Sequence, residues 1–294
     1  MLHWWPVVEA TRPNTVRRYL VAWTHLIAPQ FGHRKPREIT RAEVQEWANA
    51  LLKKKAVATV RQAVGILSSI YNECKQGGDD MGNPAEKIKL PRIPKRKRVM
   101  TMDQLRTLLA SVEGTPLAAP VFLGAVLGMR RGEMCGLKWE NVDLKTGRVR
   151  ITEQRLVLQK IKGKGIVSAP LKSEASERSF VLPKQLTNLL QRVGDMDSGY
   201  VCTNERGKPW NPEKLTSAWA QERAKLGFEG WHLHDLRHVA GGILAGLGVD
   251  LLTIAAILGH SSIDVTQLYA AAQEATATKG LGKLGRALSK SKKA

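Results

Sequence analysis

Two short stretches of the chain concentrate arginine, histidine and carboxylate side chains at spacings that suit a bound anion. In "HDLRH", a helical conformation would place His234, Arg237 and His238 within about one turn of each other. In "GMRRGE", Arg130 stands where an apolar helical pattern ends, and Glu133 follows three residues later, close enough to brace a guanidinium. Either stretch alone is also typical of a polar helix end or a surface ion pair. Their positive charge favours an anion as the ligand.

Zinc is the alternative ligand for a group of histidines, because imidazole is the commonest metal ligand in proteins. His232, His234 and His238 would supply the nitrogens. A dication would then lie beside the permanent charge of Arg237, with Asp235 as the nearby carboxylate. The three cysteines are scattered and lack a C-x-x-C spacing. We therefore expect no metal and no other cofactor.

A third stretch, "LGHSSIDVTQLY", carries a histidine and a tyrosine nine positions apart. Gly259 is expected to stop an apolar helix and to place His260 in a turn, and Ser262 can cap a following helix that ends near Tyr269. Tyr269 is one of four tyrosines in the chain. A lone tyrosine is more often a core residue than a catalyst. Its hydroxyl becomes a candidate nucleophile only in combination with the first two stretches.

In this order and at these separations, the three stretches closely resemble the catalytic boxes of the tyrosine recombinases, and the phage-integrase branch is the nearest match. The resemblance covers nearly the whole chain. The run "PQFGHRKPREITRAEVQEW" resembles the helical core-binding domain of that branch, and "NPAEKIKLP" resembles the approach to its interdomain linker. The segment "VCTNERGKPW" is similar to the one that follows its catalytic sheet.

The resemblance implies a role for each matching residue. Arg130 and Arg237 match the two arginines that hold the non-bridging oxygens of a scissile phosphate. His234 and His260 match the histidines that hydrogen-bond to this phosphate and shuttle protons. Tyr269 matches the nucleophile, which forms a 3′-phosphotyrosine intermediate.

Two further roles follow from the resemblance. Glu133 matches the acidic partner behind the first arginine. A lysine in a β-turn usually serves as the general acid, and Lys172 in "APLKSEASERSF" takes that role. Three lysines on the preceding turn remain alternatives for the general acid: Lys160, Lys162 and Lys164.

These residue types suit phosphoryl transfer without a metal. Because a phenol has a pKa near 10, forming the phenolate at pH 7 costs about 4 kcal/mol, at about 1.4 kcal/mol per pKa unit. An imidazole or the arginine-polarised phosphate can take up that proton during attack. Two guanidiniums stabilise the charge on the equatorial oxygens. The covalent intermediate conserves the bond energy, so rejoining to another 5′ hydroxyl needs neither ATP nor water.

The elements that must position these residues fall into two predicted domains. Helical periodicity dominates the first ninety residues, where Thr40 and Glu43 form a capping box. Helical patterns resume at Met102 and are interrupted over 147–183 by β-branched segments. The predicted divisions are a helical core-type DNA-binding domain at 1–86, a basic interdomain linker at 87–100, a catalytic domain at 101–275 and a basic C-terminal tail at 276–294.

The predicted fold class is therefore mainly α with a small antiparallel β-sheet, and two domains that close around DNA as a C-shaped clamp. The helix predicted over "HDLRHVAGGILAGLG" is expected to turn five residues toward the core: Leu236, Ala240, Ile243, Leu244 and Leu247. The tail is expected to dock on a neighbouring subunit, as the C-terminus does in this family.

The balance of charge indicates a polyanionic partner. The chain has 46 Lys and Arg against 26 Asp and Glu, a net charge of +20. A basic surface binds nucleic acid because it releases condensed counterions. The predicted linker is its most basic stretch, with seven candidate phosphate contacts: Lys87, Lys89, Arg92, Lys95, Arg96, Lys97 and Arg98. A bland basic spacer is the alternative interpretation of this stretch.

The sequence thus predicts a site-specific DNA recombinase, a phage or mobile-element integrase, located in the cytoplasm of a bacterial host. Its expected partners are double-stranded attachment sites and three further copies of itself in a tetramer on two duplexes. Without DNA the chain is expected to be monomeric or weakly associated, with no membrane partner and with a directionality factor as an optional partner. The alternatives are a Xer-like dimer resolvase, a type IB topoisomerase-like enzyme and, from another class, a non-catalytic DNA-binding protein.

Overall fold

The computed structural model describes residues 4–11, 13–76, 82–92, 99–157, 165–171 and 177–259. These residues form two compact units, one from the described residues up to 92 and the other from the described residues beyond 98. The domain limits predicted from the sequence remain predictions, since the chain between the units (93–98) and the segment 260–294 lie outside the described residues.

The regular secondary structure in the described residues of the first unit is entirely helical. Its helices are α1 (Trp4–Glu9), α2 (Pro13–Ala22), α3 (Ala28–Phe31), α4 (Arg41–Leu52) and α5 (Val57–Gln76), with a π-helical turn at Trp23–Ile27 and a 3-10 turn at Pro36–Glu38. The predicted capping box is confirmed: the Thr40 side chain accepts the Glu43 N–H, and Glu43 accepts the Thr40 N–H at 2.8 Å. Helix α4 therefore begins where the sequence predicts.

Aromatic side chains hold the core of the first unit together. Trp4 stacks on Tyr19 with ring centroids 5.6 Å apart, and Phe31 meets Trp47 edge-on at 5.2 Å. Both tryptophans and Phe31 are buried. These contacts fix α1, α2 and α4 around the long helix α5, which supplies most of the remaining core residues.

The second unit surrounds one fully apolar helix with amphipathic ones. Its helices are α6 (Met102–Ser111), α7 (Ala118–Ala125), α8 (Arg131–Gly136), α9 (Lys184–Val193), α10 (Pro212–Lys225), α11 (Asp235–Gly246) and α12 (Leu251–Leu258). Every residue of α7 is buried, as expected of a helix that is apolar on all sides. Helices α8 and α11 both pack against α7, so the two predicted anion-binding stretches share one scaffold.

The strands of the second unit form two small antiparallel sheets. They are β1 (Val142–Asp143), β2 (Arg148–Ile151), β3 (Glu153–Val157), β4 (Ile166–Pro170) and β5 (Arg178–Val181). The first sheet has the order β1-β2-β5, with Ile151 opposite Arg178, and the second is the hairpin β3-β4. The predicted fold class, mainly α with a small antiparallel sheet, is confirmed, with the strands divided between two sheets.

The prediction that Leu247 faces the core was wrong. Leu236 and Ala240 are buried and Ile243 and Leu244 are partly buried, but Leu247 is 67% exposed. The helix ends at Gly246, and Gly248 takes a φ of +89°. The chain therefore turns away before the helical period can carry Leu247 to the core.

Candidate active site

Arg237 lies inside the second unit and is anchored by a backbone carbonyl. It is carried by α11, is 3% exposed, and donates from Nη1 to the carbonyl oxygen of Gly128 at 2.6 Å. Gly128 has a φ of +63°, a conformation that a side chain would disfavour. This left-handed turn between α7 and α8 thus gives the second predicted arginine a fixed acceptor two residues before the first one.

Arg130 joins two stretches that are far apart in the sequence. It is the residue before α8, and its Nη1 donates to Glu133 Oε1 at 2.7 Å while its Nη2 donates to the carbonyl oxygen of Gly259 at 2.5 Å. Gly259 ends α12 with a φ of +65°, as the sequence predicted for a helix stop. The "GMRRGE" stretch is therefore in contact with the residue that precedes His260.

Glu133 is buried to 1% exposure and is held by two guanidiniums. Its Oε1 accepts from Arg130, and its Oε2 accepts from Arg178 Nη2 and from the Arg130 N–H, both at 2.9 Å. Burial acts to raise the pKa of this carboxyl, but the Arg178 charge and the hydrogen bonds outweigh it and lower the pKa. Glu133 is accordingly an ionised brace for Arg130.

His234 stands at the entrance of α11, beside this cluster. Its ring meets that of His238 edge-on, with centroids 5.5 Å apart. Partial desolvation lowers the pKa of His234 first, and the charges of His238, Arg237 and Arg130 lower it further against the opposing effect of Asp235. The imidazole is therefore neutral near pH 7 and able to accept a proton.

His232, the third histidine of the zinc alternative, makes other contacts. The His232 N–H donates to Asp235 Oδ2 at 2.7 Å, and its Nδ1 lies 3.1 Å from Arg223 Nη1. Within the described ranges, no group of three histidine, cysteine or carboxylate side chains lies close enough together to hold a metal ion. The arginines and His234 instead present positive charge and a neutral base to one place.

The structure thus brings together Arg130, Glu133, His234 and Arg237. Three other predicted site residues, Lys172, His260 and Tyr269, lie outside the described residues, as do the alternative general acids at 160, 162 and 164. Their roles remain predictions. The strand before Lys172 ends at Pro170, which pairs with Glu153.

Residues 87–92, which we call the strap, are the first six residues of the predicted basic linker. The side chains of Ile88 and Leu90 pack on the core of the first unit, whereas the alternating Lys87 and Lys89 are exposed. Arg92 is exposed as well, and the other four predicted contacts, residues 95–98, lie outside the described residues.

Side chains of α4 and α5 fix the backbone of the strap. Gln45 donates to the Lys89 carbonyl at 3.0 Å and accepts the Lys89 N–H at 2.9 Å. Arg41 donates to the Lys87 carbonyl at 2.9 Å, and Arg61 donates to the Pro91 carbonyl at 2.8 Å. The strap is therefore a fixed edge of the first unit that presents lysines outward.

Comparison with known proteins identifies the family. The family model described as "Phage integrase family" matches residues 98–276, more than half of the chain. The chain belongs to the phage integrase family. The predicted resemblance to the tyrosine recombinases is confirmed, and the matched region contains the whole described cluster.

Curated members of the family are similar over much of the chain. A "Tyrosine recombinase XerC-like" protein of Caldanaerobacter subterraneus subsp. tengcongensis is 25% identical, over 78% of this chain and 66% of its own length. A "Shufflon-specific DNA recombinase" of Escherichia coli is 26% identical, over 89% of this chain and 62% of its own length. The chain thus spans somewhat less than two thirds of these two relatives.

Solved integrase structures share the fold. The Tn1549 transposon integrase, solved in complex with transposon right end DNA, superimposes with a TM-score of 0.76 at 18% identity, over 94% of this chain and 95% of that one. A lambda integrase dimer bound to a core site gives a TM-score of 0.67 at 15% identity, over 90% of this chain and 73% of that one. None of the helices in the described part of the present chain has the length and apolar character that a bilayer crossing requires.

Sequence reasoning missed three members of the cluster: Gly128 and Gly259 as carbonyl acceptors, and Arg178 as a partner of Glu133. Arg178 had a signal in the sequence. Along β5 the less exposed positions alternate, and Arg178 shares its face with Phe180. An arginine at an inward position of a strand needs a buried anion. The two glycine carbonyls had no comparable signal, because a backbone acceptor looks alike at every residue.

Proposed function

We propose that this chain is a site-specific DNA recombinase, a phage or mobile-element integrase that cleaves and rejoins strands through a 3′-phosphotyrosine. The observation that carries the proposal is the cluster of Arg130, Glu133, His234 and Arg237, in contact with Gly259 ten residues before Tyr269. Two permanently charged arginines beside a neutral imidazole suit the transition state of phosphodiester cleavage, in which negative charge develops on the phosphate oxygens. Membership of the phage integrase family and the names of its relatives support the same function.

The proposed reaction conserves the number of phosphodiester bonds. The Tyr269 oxygen attacks the scissile phosphorus, and the bond from phosphorus to the 5′ oxygen breaks. The phenol proton passes to an imidazole or to the phosphate, and Lys172 supplies the proton that the leaving 5′ oxygen needs. Arg130 and Arg237 hold the non-bridging oxygens as negative charge develops on them. Attack by a 5′ hydroxyl of another strand reverses these steps and completes the exchange.

The proposed substrate is double-stranded DNA carrying attachment sites. The net charge of +20 and the exposed lysines of the strap support it. Four subunits on two duplexes would supply the four cleavages of a complete exchange, with the tail at 276–294 docking between neighbours and a directionality factor as an optional partner. The proposed domains are those predicted from the sequence, acting in the cytoplasm of a bacterial host as a clamp around DNA.

Covalent capture on random DNA fragments tests the function and identifies the target. The wild-type chain is mixed with nicked fragments, denatured and sequenced for attached DNA. Tyr269→Phe should bind DNA as the wild type does and form no adduct, and Arg237→Ala should reduce adduct formation by about 100- to 1000-fold. Adduct in the Tyr269→Phe variant would remove that residue from its role, and no adduct in the wild type would end the proposal.

A plasmid assay distinguishes recombination from topoisomerase activity and from dimer resolution. A plasmid carrying two captured sites should yield recombinant circles, whereas relaxation without recombinants would favour topoisomerase activity. Relatives named "Tyrosine recombinase XerC" favour dimer resolution as the second candidate. Conversion of a plasmid dimer to monomers at the captured sites, with no integration into a second molecule, would support that candidate instead.

A further inference from the structure

We propose that Arg178 is a positioning residue for Arg130, acting through the carboxylate of Glu133. The inference deepens the proposed function and rests on it. Arg178 is the first residue of β5, whereas Glu133 belongs to α8, 45 positions earlier. Arg178 thus links β5, which follows the segment of the predicted general acid, to α8, which Arg130 directly precedes.

The contacts show how one carboxylate serves two guanidiniums. Arg178 Nη2 and the Arg130 N–H both donate to Glu133 Oε2 at 2.9 Å. With Oε2 held from two sides, the carboxylate plane is set, and Oε1 faces Arg130 Nη1 at 2.7 Å. Rotation of the Glu133 side chain would break all three hydrogen bonds. Arg178 therefore fixes the acceptor that orients the Arg130 guanidinium.

The contact with Glu133 gives Arg178 an indirect role, through the carboxylate rather than through the phosphate. The Arg178 side chain is 6% exposed and that of Glu133 1%, whereas Arg130 keeps 31% of its side chain exposed. Arg130 is thus the more accessible of the two to a DNA phosphate, whereas the observed contact of Arg178 is with Glu133. The opposite residue in the sheet, Ile151, is itself buried, so the strand end that carries Arg178 is fixed in the core.

Charge gives Arg178 a second effect on Arg130. A buried Glu133 paired only with Arg130 would cancel the positive charge that a phosphate needs. Arg178 offsets the Glu133 charge, so that the three groups carry a net charge of +1 and the charge of Arg130 remains available to a phosphate. In a poorly hydrated site that difference acts strongly on a phosphate bound at Arg130.

The test compares four variants of the full chain on a nicked substrate that carries the captured site. They are Arg178→Gln, Arg178→Lys, Glu133→Gln and the Glu133→Gln/Arg178→Gln double variant, with the exposed Arg150→Gln on the neighbouring strand as the charge-matched control. DNA affinity should be unchanged in Arg178→Gln, and single-turnover cleavage should fall by about 10- to 100-fold, below the loss expected for a direct oxyanion donor. Arg178→Lys should restore part of the rate, and Arg150→Gln should cleave as the wild type does.

Two readouts distinguish positioning from a merely structural role. On a substrate with a methylphosphonate at the scissile position, which has one negative charge fewer, the loss in Arg178→Gln should shrink by at least about tenfold, because less positive charge is needed. In the Glu133→Gln background, removing Arg178 should change the rate by less than about threefold, because residues that act as a unit are not additive.

The outcomes decide the inference separately from the function. Wild-type cleavage with an unimpaired Arg178→Gln, equal losses on both substrates, or additive effects in the double variant would each overturn it. If Arg178→Gln fails to fold because the buried Glu133 loses one of its two guanidiniums, the double variant is compared with Glu133→Gln instead. Equal rates of these two variants would support the inference, and a much slower double variant would contradict it. An inactive wild type contradicts the proposed function instead.

Discussion

At the scale of single residues, the cluster gives each ionisable side chain a definite charge. Glu133 is held ionised by Arg130 and Arg178, and the arginines are permanently charged. His234 is held neutral, by desolvation and by the positive charges around it. Two cations beside a neutral base are what attack by a phenol on a phosphodiester requires, because the proton needs an acceptor while the phosphate needs countercharge.

The lowered pKa of His234 predicts how cleavage depends on pH. A lowered pKa means that the imidazole stays neutral below the ordinary value of about 6.5 and gains a proton only at more acidic pH. If His234 accepts the phenol proton, the acid limb of the rate should be centred below the ordinary pKa of about 6.5. Single-turnover cleavage across pH 5 to 8, with NMR titration of the histidines, measures this.

The His238→Gln variant tests the cause of the lowered pKa of His234. Desolvation is the largest cause of the lowered pKa of His234, and the positive charge of His238 is the next. Removing that charge should raise the pKa of His234 and move the acid limb of the rate to higher pH. A wild-type acid limb centred at pH 6.5 or above, or no movement in His238→Gln, would contradict a role for His234 as the proton acceptor.

At the scale of elements, short helix ends carry the site. Arg130 precedes α8, His234 precedes α11 and Gly259 ends α12. Helix ends leave backbone groups free for other partners. Here the arginines use backbone carbonyls at two left-handed glycines, Gly128 and Gly259, as fixed acceptors. The geometry of the cluster therefore depends on how these helices end as much as on their faces.

Gly259→Ala tests this dependence. An alanine at a φ of +65° is strained, so the variant should lose about 1 kcal/mol of unfolding free energy. It should also displace the carbonyl that accepts from Arg130 and reduce cleavage by about tenfold or more. Denaturant unfolding and single-turnover cleavage measure the two effects.

Gly246→Ala is the control for this prediction. Gly246 is the last residue of α11, and a Cβ there would meet no other atom within 4 Å. Alanine at this position should leave cleavage unchanged and stability unchanged or slightly higher, since alanine favours helix. Equal behaviour of the two alanine variants would show that the conformation of Gly259 does not support the site.

At the scale of the whole molecule, we expect charge and the fixed strap to determine how DNA is bound. The +20 net charge is distributed over both units, and the strap holds Lys87 and Lys89 outward on a backbone that α4 and α5 fix. Side chains presented in this way lose less conformational freedom on binding than those of a free linker. A preorganised edge is therefore expected to contribute to affinity for any sequence of DNA.

The salt dependence of DNA affinity measures the contribution of the strap. If Lys87 and Lys89 each neutralise a phosphate, the Lys87→Gln/Lys89→Gln variant should lower the slope of log K against log salt by about 2, at about 0.9 per contact. Lys225→Gln, which removes an exposed lysine paired with Glu222, should leave the slope unchanged. A slope equal to that of the wild type in the double variant would exclude the strap from the interface.

The sequence by itself determined the family and predicted the chemistry. The types and order of Arg130, His234, Arg237, His260 and Tyr269, together with the helical periodicity and the capping box at Thr40, required only local patterns and their spacing. Such patterns are legible in a sequence because each residue of a helix or a cap interacts with neighbours three or four positions away.

Only the tertiary structure decided which distant groups became partners. Arg178 reaches Glu133 across 45 residues, and Arg130 reaches the Gly259 carbonyl across 129. The early end of α11, which exposes Leu247, likewise depends on the turn that follows. A buried carboxylate or a backbone oxygen takes whichever donor the packing brings near, because burial without a partner costs more than any local preference.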